Sequence, residues 1–176
     1  MISILISKYH MARNPVKYLR KRGAKIGDDC SIASNVQFGS EPYLITIGDH
    51  VRLTENVRLI THDGGLWVIR KMYPEYCNAD LFKPIRIGNN VHIGVNSIIM
   101  PGVTIGNNVV VGCGAVVTHD IPDNSVAAGV PARVIETIEE YFNKNKDKLI
   151  NTKNLSGKEK RSLMENFFKE NKIIRF

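Results

Sequence analysis

The sequence predicts a mainly β protein: a parallel β-helix of hexapeptide repeats with a short N-terminal helix and a C-terminal helical tail. Two observations carry the β-helix. The first is a repeat. From Ile87 the chain divides into six unbroken hexads, IGNNVH, IGVNSI, IMPGVT, IGNNVV, VGCGAV and VTHDIP, and the same frame fits IGDDCS and IASNVQ from Ile26, then IGDHVR and LTENVR from Ile47. The second is that each place in the hexad has one physical job. The first place is Ile, Leu or Val throughout, an inward branched side chain. The fifth runs Cys30, Val36, Val51, Val57, Val91, Ser97, Val103, Val109, Ala115, Ile121, a second and tighter inward place. The fourth runs Asp29, Asn35, His50, Asn56, Asn90, Asn96, Gly102, Asn108, Gly114, Asp120, the residue types that tolerate positive φ. A corner every six residues turns short parallel strands about a triangular axis. Three hexads make one coil, so 87–122 is two coils and 26–61 about two more, stacked ~4.8 Å apart.

Taken in order, residues 1–22 form a basic N-terminal helical segment, with the helix over 9–22. Residues 23–136 form the β-helix domain. It is interrupted after Thr61 by a 23-residue excursion, 62–84, whose Trp67, Met72, Tyr73, Tyr76, Leu81 and Phe82 are too apolar for a free linker. That loop is expected to pack on a partner chain and wall a site. Residues 137–176 form a C-terminal helical extension. It opens on the capping-box pattern Thr137-Ile-Glu-Glu140, and Ser156 precedes a second helical stretch with Leu163, Met164, Phe167 and Phe168 on one side.

Composition narrows the class. The net charge of +7 is divided: seven Lys/Arg and no acid over 1–25, seven bases against thirteen acids over 26–140, and ten bases against four acids over 141–176. The basic ends suit a solvated surface or peripheral contact with an anionic membrane, and no nucleic-acid-binding signature accompanies them. No apolar run approaches the ~20 residues of a membrane span. The start lacks a signal-peptide core, which gives a cytoplasmic protein as the expectation. Cys30, Cys77 and Cys113 form no CxxC pair, against a disulfide framework or a zinc knuckle.

The hexads, together with the closing run VTHDIPDNSVAAGVPARVI, resemble the hexapeptide-repeat acyltransferases, and within them the sugar and capsular polysaccharide O-acetyltransferases. The resemblance covers about residues 23–136. It implies a left-handed winding for the coil, against the right-handed habit of ordinary parallel crossovers, and a homotrimer with sites between adjacent chains. It also implies acetyl-CoA as cosubstrate, a carbohydrate acceptor and no metal.

Acyl transfer from a thioester to an alcohol needs a base for the hydroxyl proton, donors for the tetrahedral oxyanion, and both substrates held in line. Of five histidines, His50 fits a corner and His10 the basic N-terminal segment, while His92 and His119 decorate the coil. His62 stands where the repeat stops, and Thr61-His62-Asp63 resembles the step that carries the catalytic base in the O-acetyltransferases. Asp63 beside it, or a backbone carbonyl, would orient the imidazole. Asn35, Glu41 and Trp67 are the acceptor-binding candidates: Asn35 and Glu41 lie near an Asn and a carboxylate of the family pattern, and Trp67 sits in the loop. For coenzyme A the resemblance implies His92, Gly94, Gly112, Gly114, Ala115, Thr118, His119, Ala128, Gly129 and Arg133. Within that set His119 replaces a common Lys and His92 a frequent Trp, while Glu136 stands where several members have a second Arg.

Three other functions fit parts of the pattern. A zinc hydratase on this fold would use three histidines, two of them close in sequence, but His62, His92 and His119 are 30 and 27 residues apart. A non-catalytic scaffold would need neither coenzyme A nor His62. The same chemistry could act on an amino sugar or an antibiotic. Serine is a weaker acceptor, because serine acetyltransferases carry a large helical N-terminal domain not seen here.

Overall fold

Every coil of the chain visits three faces in turn, and the register of the strands shows it. In the computed structural model, which describes residues 10, 11 and 13–170, the first face stacks β1 (Lys25–Ile26), β3 (Ile45–Ile47), β6 (Ile85–Ile87) and β9 (Thr104–Ile105). The second stacks β2 (Ser31–Ile32), β4 (Val51–Leu53), β7 (Val91–Ile93), β10 (Val109–Val111), β12 (Ser125–Gly129) and β13 (Ala132–Thr137). The third stacks β5 (Arg58–Leu59), β8 (Ile98–Ile99) and β11 (Val116–Val117). Pairing is parallel throughout except for β12–β13, an antiparallel hairpin that ends the coil. The result is a three-sided parallel coil one hexad wide per side.

The hexad places do what their chemistry dictates. All ten first-place residues are buried, and so are the fifth-place residues except half-exposed Cys30. Ile45, Ile85, Ile93, Ile99, Ile105 and Val111, drawn from all three faces, are at most 1% exposed and sit in the core. Eight of the ten fourth-place residues have positive φ, from 52° at Asp29 to 88° at Gly102. Asn and Asp at the corners also join neighbouring coils. Asp49, Asn89, Asn107 and Asp123 each accept, through Oδ1, a backbone N–H of the coil before, at 2.7–2.9 Å.

The sixth hexad departs from the predicted frame. Ile121 was assigned a fifth place, but it pairs with Ile105, a first place, only 16 residues earlier. The preceding coil repeats at 18, as in Ile87 opposite Ile105. The coil is therefore two residues short at Thr118–Asp120. Asp120 turns no positive-φ corner; its Oδ1 accepts from Thr104 N at 2.7 Å, and Asn124, φ 58°, makes the corner instead.

Helix α1 (Pro15–Lys21) is capped by Asn14, whose Oδ1 accepts from Lys17 N at 2.9 Å, and its Leu19, 1% exposed, joins the core. The first nine residues of the predicted N-terminal segment and the last six of the tail lie outside the described residues. Two compact units are present, the first ending at Tyr141 and the second starting at Phe142. Helix α3 (Ile138–Asn145) has the capping box read from sequence: Glu140 N donates to Thr137 Oγ1 at 3.1 Å and Thr137 N to Glu140 Oε2 at 2.7 Å. In the second unit, Ser156 and Glu159 make the same reciprocal pair before α4 (Gly157–Glu170).

Candidate active site

The excursion leaves the coil at the corner between the third and first faces. It is neither a free loop nor a strand. Its ends are clamped together: Lys83 N donates to Thr61 O at 2.8 Å, Asp63 N to Leu81 O at 2.9 Å, and His62 pairs antiparallel with Phe82. Between the clamps runs α2 (Leu66–Met72), which the repeat pattern did not signal. Arg70 on α2 ties down the return segment, donating from Nε to Ala79 O at 2.6 Å and from Nη2 to the Asp80 carboxylate. No side chain from 62 to 84 is buried, and Trp67 stands 79% exposed.

The clamp fixes His62 at the mouth of the corner. Its Nδ1 lies 3.4 Å from Glu41 Oε2, which also accepts from Thr61 Oγ1 at 3.1 Å. The Glu41 side chain is 13% exposed and that of His62 47%. Bonds from Ser40, opposed by burial and joined by those from Thr61 and His62, hold the Glu41 carboxyl below the usual glutamate range. A partly buried carboxylate at Nδ1 favours the tautomer protonated there. Nε2 then keeps its lone pair, as a general base requires. Asp63 has another task, accepting from Gly65 N at 2.8 Å at the start of α2. The geometry thus gives Glu41, assigned from sequence to the acceptor, a place beside the imidazole where Asp63 was expected. A signal for it existed. Glu41 and His62 are 21 residues apart, the local coil repeat that also brings Gln37 opposite Arg58 and Asn35 against Asn56.

Two clefts meet at His62. One, of about 260 Å³, is lined mainly by polar and charged side chains: Ser40, Glu41, His62, Asp63, Arg70 and Asp80, with Gly64 and Phe82. The other, of about 410 Å³, is more apolar, with Ile60, Leu81, Lys83, Met100, Pro101 and Thr118 as well as the His62–Gly64 turn. Phe82 and Leu81 belong to the loop expected to wall a site, whereas Arg70 and Asp80 in the first cleft, and Lys83, Met100 and Pro101 in the second, are not among the residues singled out from the sequence. The hexad frame could have found Met100 and Pro101, which occupy the next coil's corner below Thr61.

The remaining candidates are dispersed over the prism. Thr118 shares the apolar cleft, with His119 beside it, Nδ1 2.8 Å from Thr118 Oγ1. Asn35 turns the corner between the second and third faces, its Nδ2 donating to Asn56 Oδ1 at 2.9 Å. Gly94, Gly112 and Gly114 belong to that corner too. A Cβ on Gly94 would come within 2.6 Å of Cys113 N, so coil stacking alone demands glycine there, and one on Gly112 would lie tightly, 3.0 Å, against the Ala128 methyl. Ala115 is fully buried at its inward place. His92 lies on the second face, opposite the His62 corner, in a row with Arg52 and Val110; burial and then Arg52 push its imidazole below the ordinary histidine value. Ala128, Gly129 and Arg133 sit on the terminal hairpin, where Arg133 Nη1 donates to Ala132 O at 2.8 Å. Trp67 lines neither cleft at His62. Among the described residues no three His, Cys, Asp or Glu side chains gather as a metal site, and no helix is long and apolar enough to cross a membrane.

Comparison with known proteins agrees with this architecture. Residues 84–119 match the bacterial transferase hexapeptide model, a stretch of six repeats. Over 156 residues the chain is 54% identical to Protein CapG of Staphylococcus aureus, covering 88% of this chain and 89% of the relative. Among solved structures, a maltose O-acetyltransferase from Clostridium difficile 630 superposes with a TM-score of 0.57 at 30% identity, over 74% of this chain and 82% of that one. A galactoside acetyltransferase in complex with coenzyme A superposes with a TM-score of 0.55 at 31% identity, over 85% and 83%.

Proposed function

The chain belongs to the hexapeptide-repeat acyltransferases, and on that premise we propose that it is an acetyl-CoA-dependent O-acetyltransferase acting on a sugar hydroxyl, in a surface polysaccharide or a nucleotide- or lipid-linked sugar. The observation that carries this reading is the position of His62, with Nδ1 against a shielded carboxylate and a cleft on either side. The polar cleft suits a polyhydroxylated acceptor. The apolar cleft suits the acyl group and the thioester end of coenzyme A, and the galactoside enzyme's complex with coenzyme A supports that ligand for the fold.

In this mechanism Nε2 of His62 takes the proton of the acceptor hydroxyl as its oxygen attacks the thioester carbonyl. Glu41 stabilises the imidazolium that forms. When the carbon–sulfur bond breaks, His62 returns the proton to the departing thiolate, and no covalent acyl-enzyme is needed.

The family resemblance also supplies the left-handed winding and a cyclic trimer. Dispersal of the coenzyme A candidates supports sites shared between chains: His92 faces away from the His62 corner of its own chain, and so could border the corner of a neighbour. A cytoplasmic location and contact of the basic ends with anionic lipid complete the reading. It is tested by acetyl-CoA turnover with purified protein against a panel of sugars, nucleotide sugars and polysaccharide repeat units. Sugar-dependent release of free thiol is expected. Release that no sugar stimulates would reject the proposal.

A further inference from the structure

We infer that the sugar residue receiving the acyl group is uncharged, and that the site rejects a uronic acid at this position. The inference rests on the O-acetyltransferase reading and deepens it. The polar cleft beside His62 carries three carboxylates, Glu41, Asp63 and Asp80, against a single guanidinium, Arg70. That guanidinium is committed within the loop: Nε donates to Ala79 O at 2.6 Å and Nη2 to Asp80. Arg70 and Asp80 therefore cancel, and Glu41 and Asp63 remain as excess negative charge around the reacting hydroxyl. No lysine lines this cleft, and Lys83 lines the apolar cleft on the other side of His62.

Such a wall treats two kinds of acceptor differently. Neutral hydroxyls donate to carboxylates and gain charge-assisted hydrogen bonds. An acceptor carboxylate cannot donate, and it must enter beside fixed like charges. Discrimination of this type comes from repulsion built into the site rather than from an added contact.

The test compares matched acceptors that differ only in –CH2OH against –COO⁻: methyl hexopyranosides and the corresponding uronates of the gluco, galacto and manno series, at saturating acetyl-CoA. The wild-type protein is expected to use the neutral sugars with kcat/KM at least ~10-fold higher, the gap narrowing as salt screens the wall. Asp80→Asn leaves the Arg70 charge uncompensated and should narrow the ratio several-fold. Any loss of loop order in that variant affects both acceptors and cancels in the ratio. Equal or better use of a uronate by the wild type overturns the inference while leaving the O-acetyltransferase reading intact, and so does a ratio unmoved by Asp80→Asn. Acetylation of neither member of any pair, together with no thiol release stimulated by any nucleotide sugar or polysaccharide repeat unit, overturns both.

Discussion

At the residue scale the proposed site turns on one contact, His62 with Glu41. Replacing His62 by Ala should lower kcat by ~10²–10⁴, the usual worth of one general base, while the fold and coenzyme A binding persist. Steady-state kinetics beside equilibrium binding checks both halves, and a variant retaining most activity would remove His62 from the chemistry. Glu41 makes a prediction in pH. Its carboxyl is held below the usual range by hydrogen bonds from Ser40, Thr61 and His62, against the opposing effect of burial. A depressed carboxyl pKa stabilises the fold at neutral pH, and that contribution disappears as pH falls through the folded-state value. Denaturation of wild type and Glu41→Gln between about pH 7 and pH 3 should show a gap that closes on acidification. A gap independent of pH would mean that the carboxylate charge contributes nothing. His62 was legible because a chemistry-bearing residue stood where a periodic pattern stopped. Its partner was not, because Asp63 was adjacent in sequence, whereas Glu41 becomes adjacent only through the 21-residue coil repeat.

Among the elements, the hexad is both the legible unit and the fragile one. Inward places can be read because an apolar residue recurs at fixed spacing whatever lies between. Ile105, 1% exposed, is one of these, while Val110 takes an outward place on the same coil. Ile105→Asp puts an unpaired charge in the core of the prism and should abolish folding, a cost of several kcal/mol in a domain whose whole stability is about 5–15 kcal/mol. Val110→Asp should leave a folded protein, as circular dichroism and thermal melting would show. Equal tolerance of the two would contradict the frame. The shortened coil at Thr118–Asp120 escaped the same reading for a specific reason. Asp120 is a residue type that can turn a corner, so VTHDIP satisfied the pattern, and only the pairing of Ile121 with Ile105 reveals the missing two residues. Helix α2 escaped because it buries nothing. With no inward face it has no apolar period to announce it.

For the whole molecule, the question is what completes the site. One chain leaves Trp67, Met72, Tyr76 and Phe82 between 45% and 79% exposed on the loop, an apolar surface that a second chain could cover. It also separates the proposed base from a coenzyme A candidate, since His62 sits at the corner between the third and first faces while Arg133 extends from the terminal hairpin of the second. If each groove of a cyclic trimer takes His62 from one chain and Arg133 from the next, two defective proteins can repair each other. His62→Ala and Arg133→Glu should each be weak alone. Co-refolded in equal amounts, they form trimers in which a groove is intact only where an Arg133→Glu chain donates its His62 to a neighbour carrying His62→Ala. Random assortment gives about one quarter of grooves and hence about a quarter of wild-type activity. Mixing without refolding should give none of this gain, which excludes simple addition of residual activities. A trimer with no rescue would assign both residues to one chain and so contradict the shared groove. A monomeric mass in solution would remove the trimer itself, because the exposed loop would then have no second chain to meet.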